Sequence, residues 1–226
     1  HNVSGQATIS YQSKKRINGY ATYALSYKPI GLNLGGLPTA NGQPMLELAE
    51  IKPEKVNHIE IGVKSNPTLK STLNVSYFNS FIKDYQTLVQ SAELGVNRGY
   101  LANAEKVRVQ GIELDANYKI NKNFSFFGNF AYTDGKYLKF TNAPVPLEEV
   151  GGKSAFKDIS GGLLPGISKI TGSFGAEGQF SGHLIGLKGN YFLGIDTYFR
   201  SKFSSSASPS EFLNIDGYAL LNARAG

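Results

Sequence analysis

The sequence predicts an all-β fold: part of a large antiparallel transmembrane β-barrel, seen here as one curved sheet of about nine strands. Three observations carry this expectation. Apolar and polar residues alternate with period two along almost the whole chain. Several alternating segments are longer than the roughly five or six residues usual in soluble sheets. Short and long connections follow one another strictly, as tight turns at one rim of a barrel and long loops at the other would.

Composition narrows the function classes. Of 226 residues none is Cys, and three are His (His1, His58, His183). Disulfides, thiol nucleophiles, iron–sulfur clusters and thiolate zinc sites are excluded, and the scattered His residues suggest no local metal motif. Lys and Arg number 23 against 17 Asp and Glu, a formal charge of +6. Mean hydropathy is −0.22, and no apolar run approaches the roughly 20 residues of a membrane helix. Strands that alternate can still cross a bilayer, because their two faces average out. The chain opens at His1 without Met or a recognisable signal segment, which is read as a mature chain or a piece of a longer one.

In chain order, strands are expected at roughly residues 4–12, 17–28, 54–65, 69–90, 105–119, 123–135, 166–181, 184–200 and 214–225. Ile59, Ile61 and Val63 alternate with His58, Glu60 and Gly62; Leu73, Val75 and Tyr77 with Asn74 and Ser76. Ile112, Leu114 and Ala116 oppose Glu113 and Asp115; Phe126, Phe130 and Tyr132 oppose Asn129 and Thr133. Ile170 and Phe174 alternate with Thr171 and Ser173; Leu187, Leu193 and Ile195 with Asn190 and Asp196. Short connections are expected at Ser13–Arg16, Asn66–Thr68, Asn121–Lys122 and Ser181–Gly182, and long ones near roughly 29–53, 91–104, 136–165 and 201–213. Helix signals are nearly absent; Leu46–Ile51 makes at most one turn inside a loop. Tyr77, Phe81, Tyr85, Tyr118, Phe124 and Tyr132 suit an interfacial aromatic girdle, the alternative being the core of a sandwich.

Chemical motifs are weak. Glu60 and Glu113 sit on the polar faces of their strands, and Glu113 and Asp115, two residues apart, are paired carboxylates of a kind that can serve acid–base catalysis, but a polar barrel wall explains them as well. Gly151-Gly-Lys-Ser154 resembles the end of a phosphate-binding loop, yet position 147 is Leu and no helix is expected to follow. The basic run Ser13-Lys-Lys-Arg16 reads as a solvated turn, not a nucleic-acid surface. No catalytic set, metal cluster or cofactor loop stands out, so the expectation is a protein that is not an enzyme and holds no cofactor.

Several segments resemble a known family. Tyr20-Ala-Thr-Tyr-Ala-Leu-Ser-Tyr-Lys-Pro-Ile-Gly-Leu-Asn33 is similar to a barrel strand and loop entry of TonB-dependent outer-membrane receptors. Ile51-Lys-Pro-Glu-Lys-Val-Asn-His-Ile-Glu-Ile-Gly-Val-Lys64 resembles that family's Pro-Glu followed by a Glu-x-Gly-x-Lys strand. Asn103-Ala-Glu-Lys-Val-Arg-Val-Gln-Gly-Ile-Glu-Leu-Asp115, Leu164-Pro-Gly-Ile-Ser-Lys169 and Tyr218-Ala-Leu-Leu-Asn-Ala-Arg224 resemble further barrel segments, in order. The resemblance implies a barrel of about 22 strands around a plug, coupled to the inner-membrane TonB complex. Neither a plug-like region, nor a coupling box, nor a terminal strand ending in an aromatic is found here. Residues 1–226 are therefore expected to form one partial barrel domain, from the C-terminal half of a larger receptor.

The function expected is uptake across the cell outer membrane of a scarce small-molecule ligand, a ferric siderophore foremost. A SusC-like glycan importer, a passive porin and a soluble β-sandwich binding protein are the alternatives. Expected partners are outer-membrane lipid and lipopolysaccharide, the TonB complex through a plug segment absent from this chain, and a metal–chelate ligand; no nucleic acid is expected. With short turns at the periplasmic rim, His58, Glu60, Glu113, Asp115, Asn129, Thr171 and Asn190 should point inward, and Ile61, Val75, Leu114, Phe126, Phe174 and Leu187 toward lipid. Candidate ligand contacts are the inward residues Lys28, Gln86, Lys169, Tyr198 and Arg200 at outer strand ends, with Arg98 and Tyr100 in a loop. Arg offers charge-assisted bonds to anionic oxygens, and Tyr a flat face with a polar tip.

Overall fold

The computed structural model of the chain describes all residues except 1, 14–15, 35–36, 38, 41–42, 94, 96–97 and 185. His1, Lys14 and Lys15 of the basic turn, and Ile185 thus lie outside the described residues. Nine strands form one sheet: β1 (Gly5–Ser13), β2 (Ile17–Lys28), β3 (Glu54–Thr68), β4 (Ser71–Gln90), β5 (Gly99–Lys119), β6 (Phe124–Lys139), β7 (Ile170–Leu184), β8 (Leu187–Arg200) and β9 (Tyr218–Ala225). Each is hydrogen-bonded antiparallel to the next in chain order, and the sheet's edges are β1 and β9. A single meander excludes the sandwich alternative, which needs two stacked sheets.

Register separates two faces. Directly paired residues share a face, so Thr22, Glu60, Phe78 and Gly111 lie together, as do Ala21, Ile61, Tyr77 and Ile112. By the same pairing His58, Glu60, Glu113, Asp115, Asn129, Thr171 and Asn190 occupy one polar face, and Ile61, Val75, Leu114, Phe126, Phe174 and Leu187 the opposite apolar one. The apolar side chains stay uncovered by the chain itself: Phe174 and Leu193 are each 61% exposed. Such a face needs lipid against it. Gly111 lies where a Cβ would sit 2.2 Å from the Tyr132 carbonyl oxygen, with the Phe78 ring 2.8 Å away; the inward face admits no side chain there.

Three expected boundaries are corrected. Asn66–Thr68 is not a turn but the end of β3, where the register slips between Ser65 and Thr68 and the ladder resumes at Thr68↔Ser71. Pro67 has no N–H to pair, so the bulge falls there and the chain reverses at Leu69–Lys70. Ser181–Gly182 is inside β7, opposite Asn190 and Gly189; the reversal comes at Gly186, whose φ of +78° suits a residue without Cβ. The expected long loop at 91–104 is only 91–98, because β5 begins at Gly99, opposite Gln90.

That third correction has a local cause. Ile82 and Tyr85 on β4 pack against one apolar cluster, and Ala104 and Val107 on β5 belong to it. Residues three apart share a face only where alternation is interrupted. The interruption is at Asp84, whose φ is +54°, an uncommon value for a non-glycine residue. Beyond it Tyr85, Thr87 and Val89 face the way Ile82 did, and the period-two signal is lost.

The long connections carry their own structure. Leu46–Leu48 is the single expected turn, a 3₁₀ helix. Short pairs Ala143–Pro144 with Phe156–Lys157, and Phe203–Ser204 with Asn214–Ile215, brace the loops after β6 and β8. The last of these takes up residues expected to begin β9. Tyr137, Phe140, Ala143, Ile159, Leu164 and Ala207 from these loops and strand ends close over Ala104 and Val107, all under 9% exposed. The core of the chain is therefore at the long-loop rim, not at membrane level.

Candidate functional site

The polar face is a wall of mutually satisfied groups. The Tyr20 hydroxyl donates to Glu60, and Lys64 lies 5.4 Å above the Tyr20 ring. His58 meets Ser80 Oγ through Nδ1 at 2.8 Å and stands 3.6 Å from Glu60 through Nε2. Asn74 donates to Asp115 at 3.3 Å, and Asn129 to Ser173 Oγ at 2.7 Å. A depression of about 350 Å³ is lined by Tyr20, Glu60, Lys64, Ser76, Glu113 and Asp115. Across β7–β9, Arg224 bridges Asp196 at 2.9 Å and Glu177 at 3.2 Å, with Asn222 and Gln179 completing the two carboxylates' bonds. Such a wall hydrates a channel and passes polar solutes. Among the described residues no three His, Asp or Glu side chains gather as a metal site. Gly151–Ser154 sits in an irregular loop, followed by the two-residue strand Phe156–Lys157.

The candidate contacts at the long-loop rim fall into two groups separated by β6. In the first, Lys28 is exposed at the end of β2, on the face of Thr22 and opposite Glu54. Gln86 is not a free inward side chain: it is 6% exposed, and its amide donates to the carbonyls of Pro29 at 2.6 Å and Lys52 at 3.1 Å. The switch of face at Asp84 turns it toward the β2–β3 loop, which it holds in place. Tyr100 is corrected likewise: it lies in β5 and is 4% exposed. Burial, with the Glu93 carboxylate nearby, pushes its hydroxyl up to about 12. Arg98 does lie in the β4–β5 connection, half-buried, and donates to the Leu37 carbonyl at 3.0 Å.

In the second group, Lys169 is exposed just before β7, and Tyr198 and Arg200 share the inward face of β8 opposite Ser173 and Thr171. The Arg200 guanidinium donates to Ser168 Oγ and to the Gly166 carbonyl, both at 2.8 Å, and stacks 3.6 Å over the Phe203 ring. It anchors the chain before β7 to the loop after β8. Tyr198 is half-buried, its ring 6.4 Å from that of Tyr218. Beside them opens an apolar cleft of about 520 Å³ lined by Lys169, Lys202, Phe203, Ile159, Leu163 and Pro209.

Lys202, Phe203 and the loop after them were not among the expected contacts. A signal was present in the serine-rich stretch 204–210. Ser204, Ser206 and Ser210 accept through Oγ from the backbone N–H two residues on, at 3.1–3.3 Å. Such local turns order a loop through its own side chains.

A family model described as TonB dependent receptor-like, beta-barrel, matches residues 1–226. A probable TonB-dependent siderophore receptor, PiuA, from Acinetobacter baumannii is 27% identical over 140 residues, covering 61% of this chain and 18% of its own. Among solved structures, the ferric yersiniabactin uptake receptor FyuA from Yersinia pestis superposes with a TM-score of 0.71 at 20% identity, covering 99% of this chain and 29% of its own. The copper transporter OprC gives 0.70 at 17% identity, with 98% and 30% covered. The chain thus spans less than a third of the proteins it matches.

Proposed function

The chain belongs to the TonB-dependent receptor β-barrel family of the outer membrane, and from that premise we propose that it forms a sector of an energised uptake receptor for a chelated metal, a ferric siderophore foremost. The observation that carries this reading is the long-loop rim: loops fold inward over a buried core and leave a cleft with Lys169 and Lys202 above a polar wall. Rim cations attract an anionic chelate, and the wall below passes it on. Lys169 and Tyr198 are the proposed contacts, with Lys28 and Arg98 on the far side; Arg200 is a positioning residue. The names of PiuA and FyuA support an iron–chelate cargo. TonB coupling through a plug within the barrel belongs to the same proposal. So does the absence of catalysis, since Asp115 is engaged by Asn74.

The test is growth of a strain deleted for the full-length protein, with single ferric siderophores as sole iron source, with and without TonB. Loss of uptake in both strains supports the reading. Unchanged iron uptake with lost growth on a polysaccharide makes it a glycan importer, and TonB-independent solute leakage makes it a porin.

A further inference from the structure

Two polar atoms lining the cleft beside Lys169 have no partner among the described residues. The cleft's walls are apolar: Leu163, Ile170, Phe203 and Pro209 border about 520 Å³ of space, within the roughly 300–1,000 Å³ of small-molecule sites. Leu163 and Ile170 stay 44% and 40% exposed, so the chain leaves these walls open. Tyr137 and Ser208 line the same cleft, and both hydroxyl oxygens are buried without a hydrogen-bond partner. The Thr87 hydroxyl lies beside Tyr137 but closes no bond with it. Ser204, Ser206 and Ser210 each accept from the backbone N–H two residues on; Ser208 breaks that series. Among the charged residues of the lining, Lys169 and Lys202 outnumber one carboxylate, Glu211. Neither lysine makes an ion pair among the described residues.

A buried hydroxyl left unpaired is costly, and each one in a native structure calls for an explanation. We propose that the cleft takes the aryl arm of a phenolate or catecholate metal chelate, which deepens the uptake reading above and rests on it. The ring lies against Leu163, Ile170 and Phe203, and its oxygens accept from Tyr137, Ser208 and the two ammonium groups. Other chelate classes each leave one of these features unmet. Citrate and hydroxamate shells would press hydrated oxygens onto apolar walls. An acyl tail would suit the walls but keep both hydroxyls unpaired. An aryl ring presents two apolar faces and an edge of oxygens. Hydroxyl protons rotate to suit an acceptor, and ammonium groups strengthen the bonds to anionic oxygens.

The full-length protein, purified in detergent, is titrated by calorimetry with four probes: a ferric dihydroxybenzoyl-glycine chelate, ferric citrate, a linear ferric trihydroxamate, and that trihydroxamate with an acyl tail. The aryl chelate should bind at least about tenfold more tightly than each of the others. Tyr137→Phe/Ser208→Ala removes only the two unpartnered hydroxyls, so thermal stability should equal or exceed the parent's. Its affinity for the aryl chelate should fall about tenfold while the other three hold. Ser208→Thr should bind as the parent does. Parental aryl binding by the double variant would overturn the proposal and leave the uptake reading intact. So would another chelate that binds as tightly as the aryl one, or an equal loss for all four, the mark of a structural role. Binding of none of the four would overturn the uptake reading and the proposal with it.

Discussion

The sheet at membrane level and the rim above it are held together by different solvents. At membrane level the outward side chains bury almost nothing within the chain: Ile61 is 55% exposed and Leu193 61%. Cohesion there comes from the ladders and from lipid, which wets the apolar face. At the rim, Ala104 and Val107 are fully covered, and Tyr137 and Phe140 are 1% exposed. That region is a small water-soluble core built on the ends of membrane strands. The difference teaches that one chain can follow two burial rules, parity in the belt and enclosure at the rim.

The largest effect should come from opening the rim core. Phe140→Ala is expected to cost about 3–5 kcal/mol, but only locally. Hydrogen exchange should speed up in the loops after β6 and β8 while β2–β5 stay protected and heat-modifiable migration on gels is unchanged. Global unfolding would erase the distinction between the two regions.

Leu114→Arg tests the belt. An outward charge at mid-belt is expected to cost about 2–4 kcal/mol in lipid vesicles, whereas Asn129→Arg on the polar face should be tolerated. Equal costs at both positions would mean that the faces are misassigned.

Arg200→Gln should loosen the join between the two regions. Losing two charge-assisted bonds and the Phe203 stack is expected to cost about 1.5–3 kcal/mol, read as faster proteolysis within residues 201–213. Tyr198→Phe should leave that rate alone.

The smallest effect is one of pH. Burial raises the Glu105 carboxyl, but the hydroxyl and N–H of Thr141, a backbone N–H and Lys139 outweigh it and hold it below its ordinary 4.5. A depressed carboxylate stabilises above its unfolded value and stops doing so as the pH falls through the folded one. Loop protection around Thr141 should therefore decline only below about pH 4.5, by under about 1 kcal/mol because the group is partly solvated. Glu105→Gln should remove the pH dependence.

Which parts were legible in the sequence follows from the same division. In the belt a residue's environment depends on its parity, and parity is local: Ile59, Ile61 and Val63 against His58 and Glu60 state the two faces without reference to any other strand. Nine strands, their sequential order and the polar wall were read on that basis. At the rim, environment depends on which loop arrives. Nothing local to Gln86 says that Pro29 and Lys52 will take its amide, or to Tyr100 that Phe140 and Leu164 will close the same core. Nothing local to Arg200 says that Ser168 and Phe203 will claim it. One trace was present, the charged pairs Lys83-Asp84 and Glu105-Lys106 that interrupt the apolar series on facing strands. The sequence by itself determined the strands, their faces and the family. Only the tertiary structure decided which rim residues are held inside and which remain free to meet a ligand, because enclosure is made by contacts between segments far apart in the chain.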